Sequence, residues 1–160
     1  MTASTLPVYR AAIQPEWIDY NGHMRDAYYG LVLSYAIDAA MDHLGMDASY
    51  REATGCTLYT LESHLHYLHE VKSTDDLAVA VWILECDRKR VIAGASFMCP
   101  RLPDAVASAE ILLMHVHQGE KPASAAFPEA IAARLAALTV PAAARAEWMP
   151  GSRKIELKRR

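Results

Sequence analysis

The strongest constraint on the fold is a long, mostly apolar segment at residues 26–44 that has helical periodicity. Its polar residues Ser34, Asp38 and Asp42 fall four apart, so they share one narrow stripe of a helix. A helix that is apolar around most of its circumference is buried around most of it. Gly45 follows where a helix C-cap is expected. The sequence therefore predicts a central helix that other elements enclose.

The segments on either side of this helix supply the enclosing sheet. Strand-like runs, separated by turn residues, are predicted at 8–13, 56–69, 77–87, 90–100 and 107–118. Shorter helices are predicted at 47–54 and 128–138. We expect one α+β domain over residues 1–160, with a core at about 8–138 and a C-terminal extension at 139–160. Its five-stranded antiparallel sheet wraps round the long helix, and the last four strands form a meander.

Composition and charge exclude several classes of function. Hydrophobic residues make up 52% and charged residues 22% of the chain, a globular balance. The net charge of -3 gives no electrostatic reason to expect nucleic acid, and no stretch approaches the ~20 apolar residues of a membrane span. The three cysteines have no CxxC spacing, so we expect reduced thiols and no zinc site. Together these features predict a cytoplasmic protein with no metal and no membrane partner.

The residues just before the long helix carry the candidate chemistry. Asp19, Asn21 and His23 place a carboxylate, an amide and an imidazole within five residues. A helix N-terminus offers unpaired N–H groups, so the amides of Asp26 and Ala27 are candidate donors to an oxyanion. A carboxylate beside them suits a general base or a nucleophile, with Asn21 and His23 orienting the loop or the substrate. The alternative is that Asp19 and Asn21 simply form a turn.

The run D-x-x-G-H-M from Asp19 to Met24, followed by a long apolar helix, resembles the hotdog-fold acyl-CoA thioesterases of the 4-hydroxybenzoyl-CoA type. The resemblance covers about residues 8–138 and implies that Asp19 is the catalytic carboxylate. Arg25 and Asp26 stand where many relatives carry two asparagines, which leaves the acyl specificity open. The sequence of residues 17–29 most resembles that of the family branch linked to carnitine breakdown. This resemblance implies hydrolysis of betainyl-CoA.

The aromatic residues near this motif suit a quaternary ammonium group, which aromatic faces and a carboxylate bind well. Trp17, Tyr20, Tyr28 and Tyr29 crowd the motif, and Glu62 would add a negative charge and help to shape the acyl pocket. These five residues are therefore our candidate substrate-binding set. Tyr28 has an alternative role as a plain core residue of the helix.

Glu62 also belongs to an alternating pattern in a predicted strand. Glu62, His64 and His66 would point to one face. The opposite, more apolar face would carry Tyr59, Leu61, Leu65 and Tyr67. Glu62 is then either a second carboxylate of the site or part of a solvated surface, which would lie on the outside of the sheet or at a subunit interface. Alternate strand positions can share an ion, so a metal-bearing β-barrel is a rival, although no full ligand set is recognisable.

The predicted reaction is hydrolysis of an acyl-CoA to a free acid and coenzyme A, with no cofactor because coenzyme A is part of the substrate. Two rivals share the fold: a non-catalytic module that holds an acyl-CoA, and a dehydratase or hydratase that pairs His23 with Glu62. Five strands leave open sheet edges, so a homodimer or homotetramer is expected. The resemblance places the site between two subunits.

Overall fold

The computed structural model describes residues 6–141. The long helix α1 spans Asp26–Leu44, as predicted. It ends at Gly45, which has a left-handed φ of 89° and donates its amide to Asp42 at 3.1 Å. The side of α1 that faces the sheet is buried at Tyr29, Val32, Leu33, Ala36, Ile37, Ala40, Met41 and Leu44.

The sheet and two shorter helices complete the fold. The strands are β1 (Tyr9–Ala12), β2 (Cys56–Tyr67), β3 (Asp76–Cys86), β4 (Arg90–Met98), β5 (Ala107–His117) and β6 (Ala123–Ser124). The helices are α2 (Ala48–Thr54) and α3 (Glu129–Leu138). The strand order is β1-β3-β4-β5-β2, all antiparallel, with β6 added beside β5. This is the predicted antiparallel sheet packed round one helix, and the α+β hotdog fold is confirmed. The two-residue β6 was not predicted.

The predicted meander of the last four strands is wrong at its first step. Only β3, β4 and β5 form a meander, and β2 pairs with β5 at the far edge of the sheet. The reason is that β3 already has β1 on one side and β4 on the other. The connection from β2 to β3 instead passes the start of α1, where the carbonyl of Val71 accepts the amide of Met24 at 2.8 Å.

The predicted division of β2 into two continuous faces is also wrong. A bulge lies between Thr60 and Glu62, where the pairing register with β5 shifts by one residue. The cleft beside α1 is therefore lined by Leu58 and Thr60 before the bulge and by Ser63 and Leu65 after it. The extra residue reverses the alternation, so the apolar residues do not share one face along the whole strand.

The remaining expectations about organisation concern membranes and the C-terminus. No helix within residues 6–141 combines the length and the apolar character needed to cross a bilayer. The predicted C-terminal extension lies outside the described residues from position 142 onwards.

Candidate functional site

The candidate motif forms a tight turn directly before α1. Ile18 and Met24 bridge its two sides, and the amide of Asp19 donates to the carbonyl of His23 at 2.9 Å. The amide of Gly22 donates back to the carbonyl of Asp19 at 3.0 Å. Gly22 has a φ of 79°, a left-handed conformation that glycine adopts without the strain of a β-carbon. The local sequence therefore folds into a closed loop that fixes the Asp19 backbone.

The Asp19 carboxylate is held by the same turn. Its Oδ1 accepts the amide of Asn21 at 2.8 Å and that of His23 at 3.3 Å. Burial raises the pKa of Asp19, but these backbone hydrogen bonds, the charge of Arg25 and the Asn21 side chain outweigh it and lower the pKa below its usual value. The simple-turn alternative is therefore realised in the geometry, and the same contacts keep the carboxylate ionised at neutral pH.

Two neighbouring segments hold this turn in place. The amide of Met24 donates to Val71 at 2.8 Å, in the β2–β3 connection. The amide of Arg25 donates to the carbonyl of Trp17 at 2.9 Å, at the end of a 3-10 turn over Pro15–Trp17. Because both sides are hydrogen-bonded, the turn has a defined position relative to the first residues of α1.

The start of α1 carries the predicted oxyanion donors. The amide of Ala27 donates to the Oδ1 atom of Asp26 at 2.9 Å. The next amide, that of Tyr28, donates to the carbonyl of Arg25 at 3.2 Å. In this conformation the amide of Ala27 is therefore already hydrogen-bonded to the Asp26 carboxylate. The exposed Asp26 side chain must rotate before that amide can donate to a substrate.

A cavity of about 280 Å³ opens beside this helix start. We call it the helix-start cavity, and its lining includes His23, Asp26, Tyr29, Tyr67, His69 and Glu70. The Nε2 atom of His23 lies 3.0 Å from the Oε2 atom of Glu70. His23 belongs to the turn that holds Asp19 and also lines the cavity, so the candidate carboxylate and the cavity share one structural element.

The aromatic residues predicted to bind substrate do not form one cluster within the chain. Trp17 and Tyr28 stack on each other, with ring centroids 5.5 Å apart and planes 19° apart. Tyr20 is 92% exposed. Of the four, Tyr29 lines the helix-start cavity, where its ring meets Tyr67 at 5.1 Å.

Glu62 lies elsewhere on the sheet. Its Oε1 atom is 2.8 Å from the Nε2 atom of His64, and both line an outer groove with Ile92 and Leu112. The chain thus places Glu62 at a separate groove from the helix-start cavity, and the partner of His23 is Glu70 instead of Glu62. Among the described residues, no three His, Cys, Asp or Glu side chains are grouped to hold a metal ion.

Sequence reasoning did not single out Tyr67 and Glu70, which line the helix-start cavity. Tyr67 ends β2, and Glu70 lies in the connection that follows. Both reach α1 only through tertiary folding, so no local spacing links them to Asp19.

An ion pair between the buried Asp75 and the partly exposed Arg101 supports the segment that carries Glu70. Arg101 donates Nε to Oδ1 of Asp75 at 2.9 Å and Nη2 to Oδ2 at 2.8 Å, and the amide of Lys72 also donates to Oδ2 at 2.9 Å. The Arg101 guanidinium holds the pKa of Asp75 at about 2, well below its usual value, against the opposing effect of burial. Arg101 also donates to the carbonyl of Glu70 at 2.9 Å.

Comparison with known proteins shows the family of the chain. The model of the thioesterase-like superfamily matches residues 13–135. A betainyl-CoA thioesterase of Pseudomonas aeruginosa is 44% identical over 136 residues, which cover 85% of each chain.

Solved structures with the same fold include two with the following similarity. One, from Pseudomonas putida KT2440 and provisionally assigned as a thioesterase, is 37% identical with a TM-score of 0.76 and covers 94% of this chain and 96% of its own. The other, a hypothetical protein from Staphylococcus aureus in complex with CoA, is 26% identical with a TM-score of 0.82 and covers 98% of both chains. The family match spans most of the sheet and all of α1, and the chain belongs to the thioesterase-like superfamily.

Proposed function

We propose that this protein hydrolyses betainyl-CoA, the coenzyme A thioester of trimethylglycine. The chain is an acyl-CoA thioester hydrolase, and its products are the free acid and coenzyme A. The observation that carries the proposal is the ionised Asp19 carboxylate. Backbone amides of a hydrogen-bonded turn hold it next to a cavity at the start of α1. The similarity to a betainyl-CoA thioesterase supports the choice of acyl group.

Asp19 has two routes to the same products. As a general base, it takes a proton from water while the water oxygen bonds to the thioester carbon; the intermediate then expels the coenzyme A thiolate, which takes up that proton. As a nucleophile, its carboxylate oxygen displaces the thiolate and forms an anhydride, which water then hydrolyses. Both routes need an ionised carboxylate, and the low pKa of Asp19 provides one at neutral pH.

The helix start supplies the candidate stabilisation of the intermediate. The amide of Ala27 becomes a donor to the thioester oxyanion once the carboxylate of Asp26 turns away from it. His23 and Asn21 shape the turn through their backbone amides, which hold the Asp19 carboxylate. Coenzyme A enters as part of the substrate, and the reaction written here consumes only water in addition.

The working unit proposed here is a homodimer or homotetramer with the site near a subunit boundary. Within residues 6–141, β2 is paired on its β5 side and forms one edge of the sheet. Large hydrophobic side chains are exposed along this edge, with Leu61 at 50% and Tyr67 at 52%. An open, partly apolar edge is a surface that proteins cover. Sedimentation analysis should give at least a dimer, and Leu61→Lys should shift it toward the monomer; a wild-type monomer would contradict this part.

The proposed setting is the cytoplasm and the breakdown of carnitine, which the resembled thioesterase branch implies. The cysteines Cys56, Cys86 and Cys99 are all free thiols, which suits a reducing compartment. A panel of betainyl-, acetyl-, 4-hydroxybenzoyl- and long-chain acyl-CoA tests the substrate by thiol release. The expected result is the highest kcat/KM for betainyl-CoA. Preference for another acyl group would refute the substrate, and tight binding without thiol release from any member would favour the non-catalytic module.

A further inference from the structure

Two tyrosine rings form a corner at the helix-start cavity. The rings of Tyr29 and Tyr67 have centroids 5.1 Å apart and planes 78° apart. Tyr29 is only 3% exposed and also contacts Phe97, with ring centroids 5.8 Å apart, so the core fixes its position. Tyr67 is 52% exposed at the cavity. A quaternary ammonium ion binds over the faces of aromatic rings, and these two rings lie together at the cavity.

Negative charge lies beside this corner. The lining includes the carboxylates of Asp26 and Glu70, and the described lining residues include no Lys or Arg. Glu70 is held at the cavity by His23, 3.0 Å away. Asp26 lies next to the proposed oxyanion donor Ala27. A carboxylate there disfavours a neutral acyl group, because the developing oxyanion would lie close to negative charge, and a cationic acyl group reduces that penalty.

We propose that the helix-start cavity is the specificity site for the trimethylammonium end of the acyl group, with Tyr29 and Tyr67 as the aromatic walls and Asp26 and Glu70 as the counter-charges. This inference rests on the proposed betainyl-CoA hydrolysis and assigns that specificity to named residues. It keeps Tyr29 of the sequence-predicted set, while the Trp17 and Tyr28 rings of that set stack on each other.

A matched pair of substrates isolates the contribution of the charge. Betainyl-CoA and 3,3-dimethylbutanoyl-CoA have the same shape, and only a carbon replaces the quaternary nitrogen. The measured quantity is the ratio of their kcat/KM values, because enzyme concentration and general folding defects cancel in it. The wild type should favour betainyl-CoA by about tenfold or more, since cation–π contacts and nearby carboxylates act on the cation alone.

Two single variants test the proposed walls and charges. Tyr67→Leu and Glu70→Gln should each lower the ratio by roughly threefold to thirtyfold. Matched controls lie away from the cavity: Tyr35→Leu on the exposed side of α1 and Glu120→Gln in a surface turn. These controls should leave the ratio at its wild-type value.

The outcomes separate this inference from the proposed function. If the wild type hydrolyses both thioesters without preference, or if neither variant moves the ratio, the cavity assignment is wrong while thioesterase activity stands. If the wild type hydrolyses neither thioester, the result instead counts against the proposed function.

A binding measurement covers the case without turnover. Titration calorimetry compares trimethylglycine with 3,3-dimethylbutanoate, first on the wild type and then on Tyr67→Leu. Tighter binding of trimethylglycine that the variant loses supports the site, and equal binding of both acids overturns it.

Discussion

Replacing Arg101 with methionine should destabilise the protein, because it leaves the buried carboxylate of Asp75 without its cationic partner. The change keeps the aliphatic stem but removes the guanidinium that binds both oxygens of Asp75. The pKa of Asp75 falls from 3.8 to about 2 in the folded state, so ionised Asp75 stabilises folding by roughly 2 kcal/mol at neutral pH. Because the Arg101 side chain is 40% exposed and that of Asp75 only 4%, screening by solvent reduces the expected loss to between about 1 and 2 kcal/mol.

The pH dependence of this loss follows from its sign. The folded-state pKa of Asp75 lies below the unfolded value, so the stabilisation is complete above about pH 4 and is lost as the pH falls toward 2. Urea unfolding at pH 7 and pH 3 should therefore show the difference between wild type and Arg101→Met shrinking by roughly 1 kcal/mol at the lower pH.

A second ion pair provides a matched control. Asp87 also has a pKa lowered to about 2, chiefly by hydrogen bonding to Arg90, but both side chains of this pair are about half exposed. Arg90→Met should therefore destabilise the protein clearly less than Arg101→Met, because exposed pairs contribute little. Equal losses from the two variants, or a loss from Arg101→Met that does not change with pH, would refute the reasoning.

Three further predictions concern the turn, the carboxylate and the core. Gly22→Ala should lower the free energy of unfolding by about 1 kcal/mol, since an added β-carbon meets no atom within 4 Å and only the φ of 79° opposes it; an unchanged urea midpoint would contradict this. Because the pKa of Asp19 is below its usual value, kcat/KM should stay constant from neutral pH down to about 4 and fall only below it; an acid limb near pH 6 would exclude Asp19 as the titrating group. Tyr50→Phe should cost about 1–2 kcal/mol by thermal unfolding, because it removes the hydroxyl 2.8 Å from Nε2 of buried His115; no change would show that the contact is dispensable.

The elements that sequence could predict are those determined by local pattern. The bounds of α1 matched because its apolar run is long and Gly45 stops it with a left-handed conformation. The five longer strands were located by alternation and turn residues, within two residues at each end. The position of Asp19 in a turn before the helix was also readable from the motif.

The pairing of the strands and the long-range contacts at the start of α1 could not be predicted from local sequence patterns. Nothing local states that β2 pairs with β5 instead of β3, because that choice depends on β1 occupying the edge of β3. The bulge between Thr60 and Glu62 inserts one residue and reverses which side chains face α1. Tyr67 and Glu70 join the site only because the β2–β3 connection passes the helix start, which is a consequence of that pairing.

The most direct test of the account is single-turnover thiol release from betainyl-CoA by the wild type and by Asp19→Asn. Asparagine keeps an oxygen that can accept the turn hydrogen bonds now made by Asp19 Oδ1, so the turn should persist while the charge is lost. If Asp19 is the base or nucleophile, the rate should fall by at least about 100-fold in the variant with little change in the unfolding midpoint. A folded Asp19→Asn protein that releases thiol at the wild-type rate would contradict the account.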